Sequence, residues 1–161
     1  AERVYRNVLY RAHESADTLL EARCLSAYAA LSVETAEPDP VLAIEMLSRA
    51  ATELKCPLSS SDLGILAYAY SLIGRNEEAE KMALASSRAA SDASEKAKAD
   101  FRIYQVRSRA GLDSEALKSL ESVMEYSNSV ECLLFLSKPV SPAKKIPTPF
   151  ASSCKMGSFA I

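Results

Sequence analysis

The chain has 161 residues and a formal net charge of −2, without the basic surplus common in proteins that neutralise phosphate, so its charge argues against a nucleic-acid partner. Hydrophobic residues make up 48% of it, largely through Ala, while Trp is absent and Gly occurs four times, a balance that favours helix over strand. No apolar run approaches the roughly 20 residues of a membrane-spanning helix, and the charged opening stretch lacks the apolar core of a secretion signal. Ala1 stands where a Met would begin a complete chain, as expected of an excised or processed piece, and we expect an intracellular protein of the nucleus or cytoplasm.

Taken in chain order, the pattern is helical throughout the first 138 residues. Val4, Tyr5, Val8 and Leu9 form one apolar stripe of an opening helix. Ser15 or Asp17 is placed to cap a second helix running to about Val33, with Leu20, Cys24, Ala27, Tyr28 and Leu31 at helical spacing. The Pro-rich segment 37–40 breaks it. Asp39 is then a good N-cap and Pro40 a good first residue, because that position leaves its amide hydrogen unused. The third helix repeats Ala43, Leu47, Ala50 and Leu54, and Pro57 with the serines 59–61 is expected to close it.

Helix 62–73 should end at Gly74, which can adopt the left-handed conformation of a helix C-cap. A helix over 77–90 follows Asn76, and one over 94–110 ends at a second such glycine, Gly111. Asp113 is expected to cap a helix over 114–126, with Leu112 and Leu117 as a hydrophobic staple. A short apolar helix is expected from Val130 to Leu136. Beyond it, 139–161 holds four of the seven prolines and no acidic residue, and reads as an extended or disordered tail.

The cysteines, Cys24, Cys56, Cys132 and Cys154, show no CxxC spacing, so no zinc site is expected. Cys24 and Cys132 lie in apolar helical patterns, where a reduced thiol acts as a small hydrophobe. We expect no catalysis and no cofactor: there is no Gly-rich phosphate loop, HExxH or GxSxG. His13 reads as a surface or core-edge residue. Glu77, Glu78 and Glu80 read as a solvated first helical turn that complements the helix dipole.

A period runs through the helix pairs. Ala43, Ala79 and Ala116 are separated by 36 and 37 residues. Gly74 and Gly111 each precede their Ala by five positions, and Leu47, Ala83 and Leu120 follow theirs by four. A helix–turn–helix repeated at this spacing is a solenoid signature, in which each pair buries its apolar face on the next.

On these residues the chain resembles the tetratricopeptide repeat family. In the best unit, Leu63, Leu66, Ala67, Tyr70, Gly74, Ala79 and Ala83 fall on the family's signature positions. The third unit keeps Ile103, Gly111, Ala116 and Leu120 but has Tyr104 at the small slot and Arg107 at the Tyr slot. The first unit keeps only its second helix. The family's period is 34 residues, so the longer spacing implies extended helices or turns.

The resemblance implies an all-α fold of antiparallel helix pairs stacked as a right-handed superhelix, whose first helices line a concave groove for a peptide or partner helix. The groove positions it implies are Ser61, Gly64, Tyr68 and Ser71, then Lys98, Phe101, Arg102, Gln105 and Ser108, with Arg109 at the rim. Tyr68 and Phe101 are candidate apolar anchors or, alternatively, inter-repeat core. One subfamily grips the carboxylate tail of chaperones. Lys98 and Arg102 match its third-repeat contribution, but Ile65 stands where an Asn is needed, so that partner is not expected. Further repeats of a longer parent chain are an additional expected neighbour.

Two other resemblances point elsewhere. Residues 101–136, FRIYQVRSRAGLDSEALKSLESVMEYSNSVECLLFL, are similar to a region of the meiotic crossover-promoting, synapsis-initiation (sporulation-type) repeat scaffolds. That similarity implies a nuclear scaffold joining chromosome-axis and recombination proteins. The stretch AYAYSLIGRNEEAEKM resembles the pentatricopeptide motif, which implies an alternative function in binding single-stranded RNA. Asp92, Glu95 and Asp100 beside the basic residues oppose that alternative.

Overall fold

Seven helices fill the residues that the computed structural model describes, 2–126: α1 (Glu2–Glu14), α2 (Thr18–Glu34), α3 (Pro40–Thr52), α4 (Ser60–Leu72), α5 (Asn76–Ala89), α6 (Ala93–Arg109) and α7 (Asp113–Tyr126). No strand occurs among these residues, as the composition predicts. The expected helix over Val130–Leu136 and the tail from Pro139 lie outside the described residues.

Side chains set most of the helix starts. Asp17, rather than Ser15, caps α2 by accepting from the Leu20 amide at 3.0 Å. Asp39 caps α3 in the same way from Leu42, with Pro40 inside the first turn. Two expectations are corrected. Ser59 does not close the preceding unit but opens α4: it forms a reciprocal capping box with Asp62, which starts the helix two residues earlier than the period suggests. Asp113 is not a cap but the first residue of α7, and the Leu112 carbonyl takes the Ala116 amide. Leu112 and Leu117 both remain exposed, so they form no buried staple. Gly74 and Gly111 end α4 and α6 at φ +79°, and in each case the next amide reaches back five residues, to Tyr70 and Arg107.

The core is a row of small clusters rather than one centre. Leu25, Ala22 and Ala50 join α2 to α3, with Leu9 of α1 against them. Val33, Leu47, Ile65 and Leu66 join α2, α3 and α4. Ala67, Ala79, Ala83, Ile103 and Val106 join α4, α5 and α6. Tyr70 and Met82 pack on both of the last two clusters. Each helix thus packs on its neighbours in the chain, while α2 also touches α4 and α4 touches α6.

Ala43, Ala79 and Ala116 are each the fourth residue of their helix and each is buried, so the sequence period coincides with a packing position. The two intervals, 36 and 37 residues, are filled differently. The connector 53–59 lengthens the first interval, and α6, with 17 residues against 13 in α4, lengthens the second.

Candidate functional site

Helices α2, α4 and α6 lie side by side, with α4 in the middle. Gly64 makes that approach close: a Cβ there would sit 3.4 Å from both Arg102 Cγ and Ser86 Oγ. The Arg102 stem therefore lies against bare α4 backbone. Ser60 and Ser86 fasten α4 to α5 reciprocally, each hydroxyl donating to the other's carbonyl, at 2.9 and 2.6 Å. Both are buried, so neither hydroxyl is offered to a ligand.

Above this junction is a cavity of about 230 Å³ whose lining includes Glu34, Ser61, Gly64, Lys98 and Arg102. A second, about 500 Å³, lies between α2, α4 and the connector, and Leu19, Ala27, Cys56, Leu58 and Ile65 are among its walls. The two adjoin, since Ala30, Ser61 and Ile65 line both. The second is walled mostly by apolar side chains, with Arg23 and Asp62 also in its lining, and the first carries Glu34, Glu95, Lys98 and Arg102 at its charged end.

Arg102, which lines the charged end, also covers Tyr68, a residue outside the lining of both cavities. The half-buried ring of Tyr68 lies 5.1 Å from the Arg102 guanidinium and 5.9 Å from that of Arg109. Arg102 also donates to Gln105 Oε1 at 2.9 Å and to Glu34 Oε1 at 3.1 Å. Arg109 is exposed and has no ion pair among the described residues. Lys98 is exposed on the same helix.

Not every position assigned to a groove is open at the surface. Ser71 is buried, and its hydroxyl donates to the Tyr68 carbonyl at 2.7 Å, one turn back along α4. Phe101 is only 5% exposed and packs against Tyr104, with ring centroids 5.8 Å apart. Of its two readings, anchor or core, the geometry places it in the core. Ser108 is half-buried. Among the repeat positions, Leu66, Ala67, Ala79, Ala83 and Ala116 are buried, while Leu63, Tyr70 and Leu120 are half-buried.

Nothing in the sequence singles out Glu34, which stands 68 positions from the arginine it binds. Nor does the sequence reveal the buried carboxylate of Glu21, which accepts from Arg49 and lies 3.3 Å from His13 Nδ1. That network joins α1, α2 and α3, and places His13 at the edge of the core with its ring largely in solvent. Burial pushes the Cys24 thiol above its ordinary pKa, with Glu21 adding to the effect. Cys24 and Cys56 are free thiols, and Cys132 and Cys154 lie outside the described residues. No helix among the described residues is long and apolar enough to cross a membrane.

Comparison with protein-family models, with curated proteins and with solved structures found no match to this chain.

Proposed function

We propose that the protein is a non-catalytic interaction scaffold. In this reading α2, α4 and α6 form the concave face of a right-handed, tetratricopeptide-like superhelix and hold a peptide or helix from a partner protein. The observation that carries the proposal is the pair of adjoining cavities on these three helices, with Arg102 in the lining of one and stacked on Tyr68, which Arg109 also covers, beside it. Aromatic and Arg side chains in a depression are the residue types that dominate protein–protein binding energy. The row of clusters supports the array, because a solenoid buries its core repeat by repeat.

RNA binding is the weaker reading. Arg102 and Arg107 are tied to Glu34 and Glu80, which lowers the positive potential open to phosphate. Single-stranded RNA is therefore expected to give no gel shift even at low salt.

The test is affinity purification with quantitative mass spectrometry. A Tyr68→Ala, Arg102→Glu double variant is expected to lose specific partners while its helical circular dichroism is kept. A Glu77→Arg control on the exposed side of α5 is expected to keep them. Retention of every partner by the folded double variant overturns the groove.

A further inference from the structure

The cation at the charged end of the groove already has an acid bound to it. Arg102 leaves α6, lies against Gly64 of α4, and donates through Nη2 to Glu34 Oε1 on α2, 3.1 Å away. Its Nη1 donates to Gln105, and its face covers Tyr68. The Arg102 side chain keeps 18% of its exposure and that of Glu34 keeps 46%, so the cation is the fixed half of the pair and the acid the loose half. Glu34 is also the last residue of α2, where a carboxylate opposes the helix dipole. It holds an unfavourable helix position and gains a cross-groove contact.

Resting on the groove reading, we infer that Glu34 is an internal stand-in for an acidic side chain of the partner. The groove selects an acidic peptide segment. One carboxylate of that segment replaces Glu34 on Arg102 Nη2, and Glu34 turns out into solvent. Gln105 and Tyr68 hold the guanidinium in place during the exchange.

The surrounding charges favour this occupant. Lys98 lines the same cavity, and the Arg109 guanidinium lies 5.9 Å from the ring of Tyr68. The remaining acid of the cavity, Glu95, has its Oε2 engaged by the Ser91 amide and hydroxyl, both at 2.9 Å. The chain's own segment after Tyr126 has the wrong charge for this seat, with four Lys against the single acid Glu131. The adjoining cavity, mostly apolar with Arg23 and Asp62 also in its lining, suits a neighbouring aliphatic side chain of the same peptide.

The experiment is fluorescence anisotropy on the full chain at low salt with a labelled oligoglutamate peptide. Glu34→Gln is expected to tighten binding by about fivefold, the ceiling for removing a half-exposed competing pair. Arg102→Gln is expected to abolish binding. A Glu37→Gln control, which removes a nearby exposed charge that does not touch Arg102, is expected to change affinity much less. Thermal melting of Glu34→Gln should stay near wild type, because Arg102 keeps two other contacts.

Affinity that is unchanged or weaker in Glu34→Gln overturns the proposal, as does an equal gain in Glu37→Gln. Equal tightening toward an oligouridylate RNA overturns the choice of a carboxylate over a phosphate, and displacement of the probe by a peptide of residues 137–161 overturns the choice of a foreign partner. Should oligoglutamate ignore Glu34 while cellular partners still depend on Tyr68 and Arg102, the stand-in fails and the groove reading survives. Should neither depend on them, both fail.

Discussion

The α4/α5 and α6/α7 pairs are built on one register and differ in what fills one shared position of the seam. In the first, Ala67, Ala79 and Ala83 are fully buried, and Tyr70 packs over the seam with Arg75 4.9 Å from its ring. In the second, the position of Tyr70 is taken by Arg107. That guanidinium donates to Glu80 at 2.8 and 3.0 Å and to Ser119 at 3.1 Å, tying α6 to both α5 and α7. The buried Asp100 completes the seam by accepting from Ser87 and Ser122, at 2.9 and 3.0 Å. The glycine turn and the buried Ala at the fourth helical position are common to both pairs. Turn chemistry and small residues thus fix how two helices meet, and the seam between them tolerates an apolar or a polar filling.

That contrast breaks most visibly at the small positions. Ala83→Leu forces three extra carbons into a fully buried contact and is expected to cost about 3 kcal/mol in urea unfolding. The equivalent Leu120→Ala, at a half-buried site, should cost about 1 kcal/mol. A polar seam should respond to salt where an apolar one does not. Arg107→Met is expected to lose about 1 kcal/mol at low ionic strength, and less at about 1 M NaCl. The penalty of Ala83→Leu should be unchanged by the same salt.

The turns sharpen the common part of the comparison. Gly74→Ala and Gly111→Ala each place a Cβ at φ +79° and should each lose about 1 kcal/mol, measured by thermal melting. Ala16, between α1 and α2, holds φ 54° without being glycine, and Ala16→Gly is expected to gain up to about 1 kcal/mol. Equal losses at the two glycines would show that the turns act alike despite their different seams.

The smallest effect is a pH dependence near the other end of the chain. Burial raises the Cys24 pKa in the folded state, so the folded protein holds that proton more tightly than the unfolded chain. The contribution is fully present below the ordinary thiol pKa and is lost as pH rises through the raised one. Stability relative to a Cys24→Ala variant should therefore fall on the alkaline side of about pH 8.5, read by urea unfolding across a pH series.

Helix existence and order were legible because each turn announces itself locally, by Asp39–Pro40, by Gly74 and by Gly111. The period of buried alanines was equally visible, since close approach demands a small residue wherever it recurs. The start of α4 was misread because a serine run suits a loop and an N-cap alike, and only the reciprocal bond between Ser59 and Asp62 separates them. Tyr68 and Arg102, both assigned to a groove by the family resemblance, lie together, with the guanidinium 5.1 Å from the ring. The burial of Ser71 and Phe101 did not follow from that resemblance, because register assigns a face but not the depth at which a neighbour covers it. Glu34 was beyond reach for another reason: its pairing joins helices that only the packing of α4 brings together.

Hydrogen–deuterium exchange of the protein, alone and with the partner recovered by affinity purification, tests the groove most directly. The account predicts protection along α4 and α6 around Tyr68 and Arg102, and in the connector 56–59, with α5 and α7 little changed. Protection confined to α3, α5 and α7 would contradict it, since the partner would then sit away from Tyr68 and Arg102.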